Sequence, residues 1–247
     1  FSGISKYGMM NYNKIFTDED ILRAFKVTFK YAIFDVPLKL AFALFIAYIL
    51  NFKLKGVNFF RTAYYIPSIL GGSIAIAILW RAVFNTDGLI NTVITAFGLP
   101  KINWMASDNG ALAVIVLLRV WQFGSAMVIF LAALKGVSQD LYEAASIDGA
   151  TAWQKFRHIT VPMLMPAFTI VFFLTLSSSF KMLDENLALT GGDFGTRMLS
   201  LQILLTTREN TPPNYGMAQA QAVIFFILIA VVSIVQVIVT KRKEIEA

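Results

Sequence analysis

From Ala111 to Leu134 the chain is apolar except for two strong interruptions, Arg119 and Gln122. About 20 mostly apolar residues suffice for a helix to cross the hydrocarbon of a bilayer. Ala218 to Thr240 is a second such stretch, strong and long, with no charged residue in it. Ile66 to Phe84 qualifies despite Pro67, Gly71 and Gly72, and Met163 to Phe180 opens just after Pro162 and contains Pro166. Val27 to Leu50 reads as the weakest, because Lys30, Asp35, Pro37 and Lys39 crowd its first half. Five spans predict an all-α, polytopic membrane protein. The composition agrees: apolar residues make up 57% of the 247 residues and charged residues 15%, against ~25% charged in ordinary soluble domains.

The same composition excludes several kinds of chemistry. There is no cysteine and one histidine, His158. Disulfide scaffolds, thiolate sites and His-rich metal clusters are therefore ruled out, and no Ser/His or Cys/His pair can be assembled convincingly. His158 sits beside Arg157 in a polar segment and reads as a surface residue. No G-x-x-x-x-G-K-[ST] loop is present, so the commonest route to ATP is closed to this chain. The net charge of +6 reads as cationic loops beside membrane lipid rather than as a nucleic-acid surface.

Lys and Arg density gives an orientation. With the C-terminus in the cytoplasm, the inner segments are Asn51 to Arg61, Lys135 to Pro162 and Lys241 to Ala247. They hold nine Lys or Arg in 46 residues, and the outer segments hold nine in 94. The chain opens on a polar stretch and on Phe1 rather than Met, which predicts no signal peptide and a further span before the numbering starts. The 1–247 stretch reads as a single transmembrane domain, with 136–162 a cytoplasmic loop within it.

That loop is the most informative part of the sequence. Ser138 can cap a short helix with Asp140 in its first turn. Leu141, Ala144 and Ala145 then share one face. Gly149 stands where a left-handed residue ends a helix. Thr151 and Gln154 have capping-box spacing, and Trp153, Phe156 and Ile159 form the next apolar stripe. A small, flat, exposed helix face followed by a hinge glycine suits docking into a groove of a partner. A well-made solvated loop is the plain alternative.

Glu143-Ala144-Ala145, Asp148-Gly149-Ala150 and Ile159-x-Val161-Pro162 together resemble the E-A-A-x-x-x-G…I-x-L-P loop of binding-protein-dependent ABC importer permeases, with Val161 in place of the usual Leu. Phe60-Arg61-Thr62…Ile66-Pro67, Trp80 and Gly88-x-Ile90-Asn91 resemble the carbohydrate-uptake branch, maltose F-type. Leu189-Thr190-Gly191-Gly192 resembles that branch's outer loop, with Asp193 where Pro is common. The resemblance covers essentially the whole chain. It implies the type I importer permease fold with six core spans, the first of them lying before Phe1. It implies a coupling helix over Tyr142, Glu143, Ala144, Ala145, Asp148 and Gly149. The partners it implies are a second permease, two cytoplasmic ATPase subunits and an extracellular solute-binding protein. This chain then carries no cofactor, ATP and Mg being held by the ATPases, and performs no catalysis of its own.

Polar residues inside spans are functional candidates by default. Trp121, Gln122 and Ser125, at i, i+1 and i+4, share a helix face. In sugar-type relatives this turn and a turn of the next span, here Ser177, Ser178 and Lys181, line the sugar site. The expected substrate path is Trp121, Gln122, Ser125, Ser178 and Lys181. Helix packing is the alternative for each, and snorkelling for Lys181. The charge of Lys181 is unlike a neutral sugar site and fits an outer mouth or an acidic sugar. Asp35 and Lys39, spaced i, i+4, read as a structural ion pair. The expected function is a permease subunit for a carbohydrate, an oligosaccharide. A glycerol phosphate-type solute is the runner-up, and an ion channel or an intramembrane enzyme are rivals from other classes.

Overall fold

The computed structural model describes residues 8–52, 55–209 and 212–245, the last three without their side chains. Lys53 of the first basic loop lies outside the described residues, and so does the side chain of Lys243. Among the described residues there is helix and no strand. In chain order the helices are α1 (Met10–Ile15), α2 (Glu19–Asn51), α3 (Val57–Leu70), α4 (Ile74–Val83), α5 (Leu89–Ala96), α6 (Asp108–Trp121) and α7 (Gly124–Gly136). There follow α8 (Gln139–Ile147), α9 (Ala152–Lys155), α10 (Val161–Met163), α11 (Met165–Phe180), α12 (Asp184–Leu189), α13 (Leu199–Arg208) and α14 (Tyr215–Ile245).

Among the described residues two helices, α2 and α14, are each long and apolar enough to cross a membrane alone. The pairs α3–α4, α6–α7 and α9/α10–α11 pass the same test only together, each bent by more than 40° at a short break. If every bent pair is one span, the number reaches five. The weakest span of the sequence reading is instead an unbroken helix of 33 residues, α2, roughly 50 Å long at 1.5 Å per residue. Pro37 sits inside it, as prolines do in membrane helices where neighbours satisfy the freed carbonyl. Asp35, Lys39 and Thr28 are all buried along it.

The chain divides into two compact units. The first comprises residues 1–32, 77–115 and 180–231. Asn91 organises one of its ends. The side chain is fully buried, Nδ2 donates to the carbonyls of Asn85, Thr86 and Ile102, and Oδ1 accepts from Ile102 N at 3.0 Å. One amide thus satisfies the backbone of the loops on either side of α5. Lys101 beside Asp87 holds that carboxyl below its ordinary range, through a 2.6 Å hydrogen bond and the ammonium charge. Trp80 donates to Val114 O, and its ring packs on Phe84, which meets Trp104 edge-on. Thr28 Oγ1 accepts from Leu199 N at 2.9 Å and so fixes the start of α13.

Between α12 and α13 the Gly191–Gly195 turn is left-handed at Gly191, Gly192, Phe194 and Gly195. It is held by Asn186 Nδ2 on Thr196 O and by a 2.6 Å contact of the Thr190 and Thr196 hydroxyls. A side chain at Gly195 would run into the Asp108 carboxylate.

The second unit comprises residues 33–76, 116–179 and 232–247. Gly124 lets α7 press on α3, since a Cβ there would overlap the backbone of Tyr64 and Tyr65. Arg61 reaches back to Leu50 O at 3.0 Å and caps the end of α2. Gln236 of α14 donates to Thr169 O of α11. The Asp35 carboxylate is held from another helix. It accepts a hydrogen bond from Ser179 Oγ, and its Oδ1 is buried with no hydrogen-bond partner among the described residues.

Candidate functional site: a polar cluster at two helix breaks and an exposed short helix

α6 ends at Trp121 and α7 starts at Gly124. Gln122 therefore lies in a break and not on a continuous helix face with Ser125. Its side chain turns inward and is buried. Nε2 donates to Gly71 O at 3.0 Å, and Oε1 accepts from Arg119 Nη1 at 3.0 Å. Gly71 follows the last residue of α3, where helix carbonyls lose their partners, so Gln122 caps that end. A Cβ on Gly71 would overlap the Gln122 side chain. The other terminal nitrogen of Arg119, Nη2, donates to Ser178 Oγ at 3.1 Å. Ser178 Oγ in turn donates a hydrogen bond to Thr175 O at 2.8 Å. One chain of hydrogen bonds thus joins the end of α3, the α6–α7 break and α11.

Of the expected path residues, the structure brings Gln122 and Ser178 together, and it does so through Arg119. Trp121 is half-buried beside Gln122 in the chain, and Ser125 is exposed. Lys181 follows the end of α11, is exposed, and belongs to the first unit. The residue that the sequence reading passed over is Arg119. Its signal was available: a single arginine inside an otherwise apolar span. The cluster presents an amide, a guanidinium and a hydroxyl. Each can hydrogen-bond a hydroxyl, and the guanidinium can also pair with a carboxylate or phosphate.

The loop after α7 folds as its capping signals require. Ser138 Oγ accepts from Asp140 N, and α8 follows. At its end Ala150 N bonds to Ala145 O and Gly149 N to Ser146 O, with Gly149 at φ +76°. This is the two-bond left-handed helix stop. Thr151 and Gln154 form the full capping box of α9. From Phe156 to Thr160 the helix widens to a π turn, so Trp153, Phe156 and Ile159 do not follow a regular stripe. Pro162 has no N–H to continue the α pattern there. The rings of Trp153 and Phe156 stack at 5.7 Å. Tyr142 ties α8 to this turn through Thr160 at 2.8 Å.

No residue of α8 is buried. Glu143, Ala144, Asp148 and Gly149 are exposed, Tyr142 and Ala145 half-buried, and Ile147 is 86% exposed. The short, doubly capped α8 thus carries a large apolar side chain that nothing in this chain covers among the described residues.

Residues 28–245 match the family described as the binding-protein-dependent transport system inner membrane component. The chain is 39% identical over 232 residues to the probable ABC transporter permease protein YesP of Bacillus subtilis (strain 168), spanning 92% of this chain and 75% of that protein. It is 35% identical over 243 residues to the probable starch degradation products transport system permease protein AmyD of Thermoanaerobacterium thermosulfurigenes, spanning 97% and 82%. Among solved structures, a bacterial ABC transporter involved in the import of the acidic polysaccharide alginate superposes with a TM-score of 0.84. It is 20% identical, and the match covers 97% of this chain and 85% of that one. The helical fold with its broken spans is therefore the type I ABC importer permease fold, and the chain belongs to the binding-protein-dependent inner membrane permease family.

Proposed function

We propose that this permease forms half of the path of an ATP-driven carbohydrate importer, with an oligosaccharide as substrate. Relatives named for starch degradation products, for multiple sugars and for arabinooligosaccharides support the substrate class, at 35%, 31% and 32% identity. The observation that carries the mechanism is α8, a capped helix with no buried residue ending in a left-handed glycine. Tyr142, Glu143, Ala144, Ala145, Asp148 and Gly149 dock it in a cleft of a cytoplasmic ATPase, which holds the ATP and Mg. ATP-driven closure of the ATPase pair then moves the helix and, with it, the broken spans. A second permease subunit completes the path, and an extracellular binding protein delivers the sugar. The C-terminus and the 136–162 loop lie on the cytoplasmic side.

Trp121, Gln122, Ser125, Ser178 and Lys181 line the path, and Arg119 joins them. In the state described here both ends of the Gln122 amide are occupied, by Gly71 and by Arg119. Each end keeps one further hydrogen-bonding position for a sugar hydroxyl, the second N–H of Nε2 and the second lone pair of Oε1, and binding through so few contacts is weak, as release requires. Arg119 favours a second reading, an anionic solute of the glycerol phosphate type or an acidic sugar. The same guanidinium serves either.

The test is reconstitution of the permease with its ATPase, second permease and binding protein in liposomes. Uptake of maltooligosaccharide or arabinooligosaccharide that requires both ATP and binding protein is expected. Uptake of glycerol 3-phosphate alone would establish the second reading, and flux without ATP would establish a channel.

A further inference from the structure

Within the first unit a cavity of about 210 Å3 lies between the beginnings of α2 and α14 and the length of α13. Asp20, Arg197, Gln202, Thr206, Glu209 and Gln221 are among its walls, which are mainly polar and carry no aromatic ring. A second cavity of about 260 Å3 shares Asp20 and Arg197 with it and continues to Arg23 and the glycines of the left-handed turn, Gly192 and Gly195. These residues belong to neither the Gln122 cluster nor α8.

Three of the walls are buried amides or hydroxyls. Gln202, Thr206 and Gln221 are 8%, 7% and 1% exposed. Thr206 and Gln221 bond to each other at 3.2 Å. Gln202 Oε1 is buried and has no hydrogen-bond partner among the described residues. Packing one helix on another does not call for such a residue, since a leucine fills the same volume without an orphaned amide. The orphan is an acceptor, so what satisfies it must bring an O–H or N–H. The surrounding charges nearly cancel, with Lys14 and Arg197 against Asp18, Asp20 and Glu209. Part of that charge is already committed: Asp18 Oδ1 accepts from the backbone N–H groups of Asp20 and Ile21, and Glu209 pairs with Arg197 at 3.4 Å. No net field draws an anion in. The volume is below the ~300 Å3 at which drug-sized sites begin, so it suits one ring or one small polyol.

We propose that this cavity is a second carbohydrate subsite, taking a single neutral hydroxylated unit through Gln202, Thr206 and the Asp20 carboxylate. The proposal rests on the carbohydrate reading above. With the C-terminus of α14 cytoplasmic, the Tyr215 end of that helix faces outward, and the subsite meets a sugar as it leaves the binding protein. Lacking an aromatic platform, it binds weakly and gives the sugar up readily.

The test uses the assembled transporter in lipid nanodiscs without binding protein. Saturation-transfer NMR is recorded with D-glucose and with glycerol at millimolar concentration. Gln202→Leu and Thr206→Val remove polar atoms while keeping volume. Each is expected to assemble normally and to lower saturation transfer to glucose at least about fivefold, the value of one good hydrogen bond. Gly136→Ala, where a Cβ meets nothing within 4 Å, is expected to retain the signal, and glycine betaine is expected not to displace glucose. Undiminished signal in Gln202→Leu and Thr206→Val would overturn the subsite, as would complete loss in Gly136→Ala or displacement by betaine. Failure of both cavity variants to assemble would make these residues structural and would also overturn it. Uptake is measured in parallel. Sugar uptake with no cavity-dependent binding removes the subsite alone, whereas absence of uptake for every sugar removes the carbohydrate reading itself.

Discussion

Gln122 Nε2 donates to the carbonyl oxygen of Gly71 at 3.0 Å, and a Cβ on Gly71 would occupy the space of the Gln122 side chain. The end of one helix is therefore capped by an amide from the break in another, 51 residues along the chain. Gly71→Ala is expected to expel Gln122 from this contact and lower uptake about tenfold at equal membrane protein level. That corresponds to ~1.4 kcal/mol, the scale of one buried hydrogen bond. Gly72→Ala is the control, because a Cβ there meets nothing within 4 Å. Equal uptake in the two variants would show that the Gly71–Gln122 contact does not matter to transport.

Arg119 supplies Nη1 to Gln122 and Nη2 to Ser178. A lysine cannot make that fork. Arg119→Lys is expected to keep the charge and lose one of the two contacts, and Arg119→Gln to lose the charge as well. If the cluster selects a neutral sugar, the two variants reduce sugar uptake to a similar extent. If it selects an anion, Arg119→Lys retains uptake of the anionic solute and Arg119→Gln loses it by a further tenfold or more, since hydrogen bonds to charged groups are worth ~1.5–3 kcal/mol. Initial uptake rates for one neutral and one acidic oligosaccharide decide between them.

What the sequence disclosed divides by distance along the chain. The limits of α8 and the left-handed Gly149 were legible because caps are made by residues two to six apart. The membrane-spanning character was legible because it is a matter of composition. The continuity of α2 was not, because the group that accommodates Asp35 is Ser179, 144 residues later. The break at Gln122 was also hidden. Just after it Gly124 closely approaches Tyr64 and Tyr65, a contact some 60 residues away in sequence that no local pattern encodes. Assuming an unbroken helix placed Gln122 and Ser125 on one face, whereas the structure buries the first and exposes the second. Arg119 was visible as an oddity, but its partners were not.

Gly149 tests the docking helix. Its φ is +76°, and a Cβ there meets nothing within 4 Å, so any penalty of substitution is conformational rather than steric. Left-handed backbone disfavours an ordinary L-residue by roughly 1–2 kcal/mol, and a β-branched one more, while asparagine tolerates it. Gly149→Asn is expected to transport near the wild-type rate. Gly149→Val is expected to insert normally and to lose ATP-dependent uptake and stimulation of the ATPase by loaded binding protein. Wild-type coupling in Gly149→Val would remove this turn from the mechanism.

Orientation can be read chemically, because the chain has no cysteine of its own. Gln139 and Asp193 are both exposed. In intact cells an impermeant maleimide is expected to label Asp193→Cys and to leave Gln139→Cys unlabelled until the membrane is opened. The reverse pattern would invert the topology and place α8 out of reach of a cytoplasmic ATPase.

The substrate path is tested by selectivity rather than by loss alone. Trp121 can lay an apolar ring on the C–H face of a sugar, and Gln122 can donate to and accept from its hydroxyls. Gln122 also holds Gly71, so Gln122→Ala removes a structural cap together with the proposed sugar contact. Trp121→Ala separates the two roles, because it leaves the hydrogen bonds from Gln122 to Gly71 and Arg119 in place. A packing residue lowers uptake of every sugar by one common factor. A path residue changes the ratio between sugars, because each presents a different pattern of hydroxyls to the same amide and ring. Trp121→Ala is therefore expected to shift the ratio of long to short oligosaccharide uptake by threefold or more, on the order of 0.7 kcal/mol, with binding-protein stimulation of the ATPase preserved. Uptake falling equally for all sugars, or not at all, would leave Trp121 as packing and move the path elsewhere on this chain.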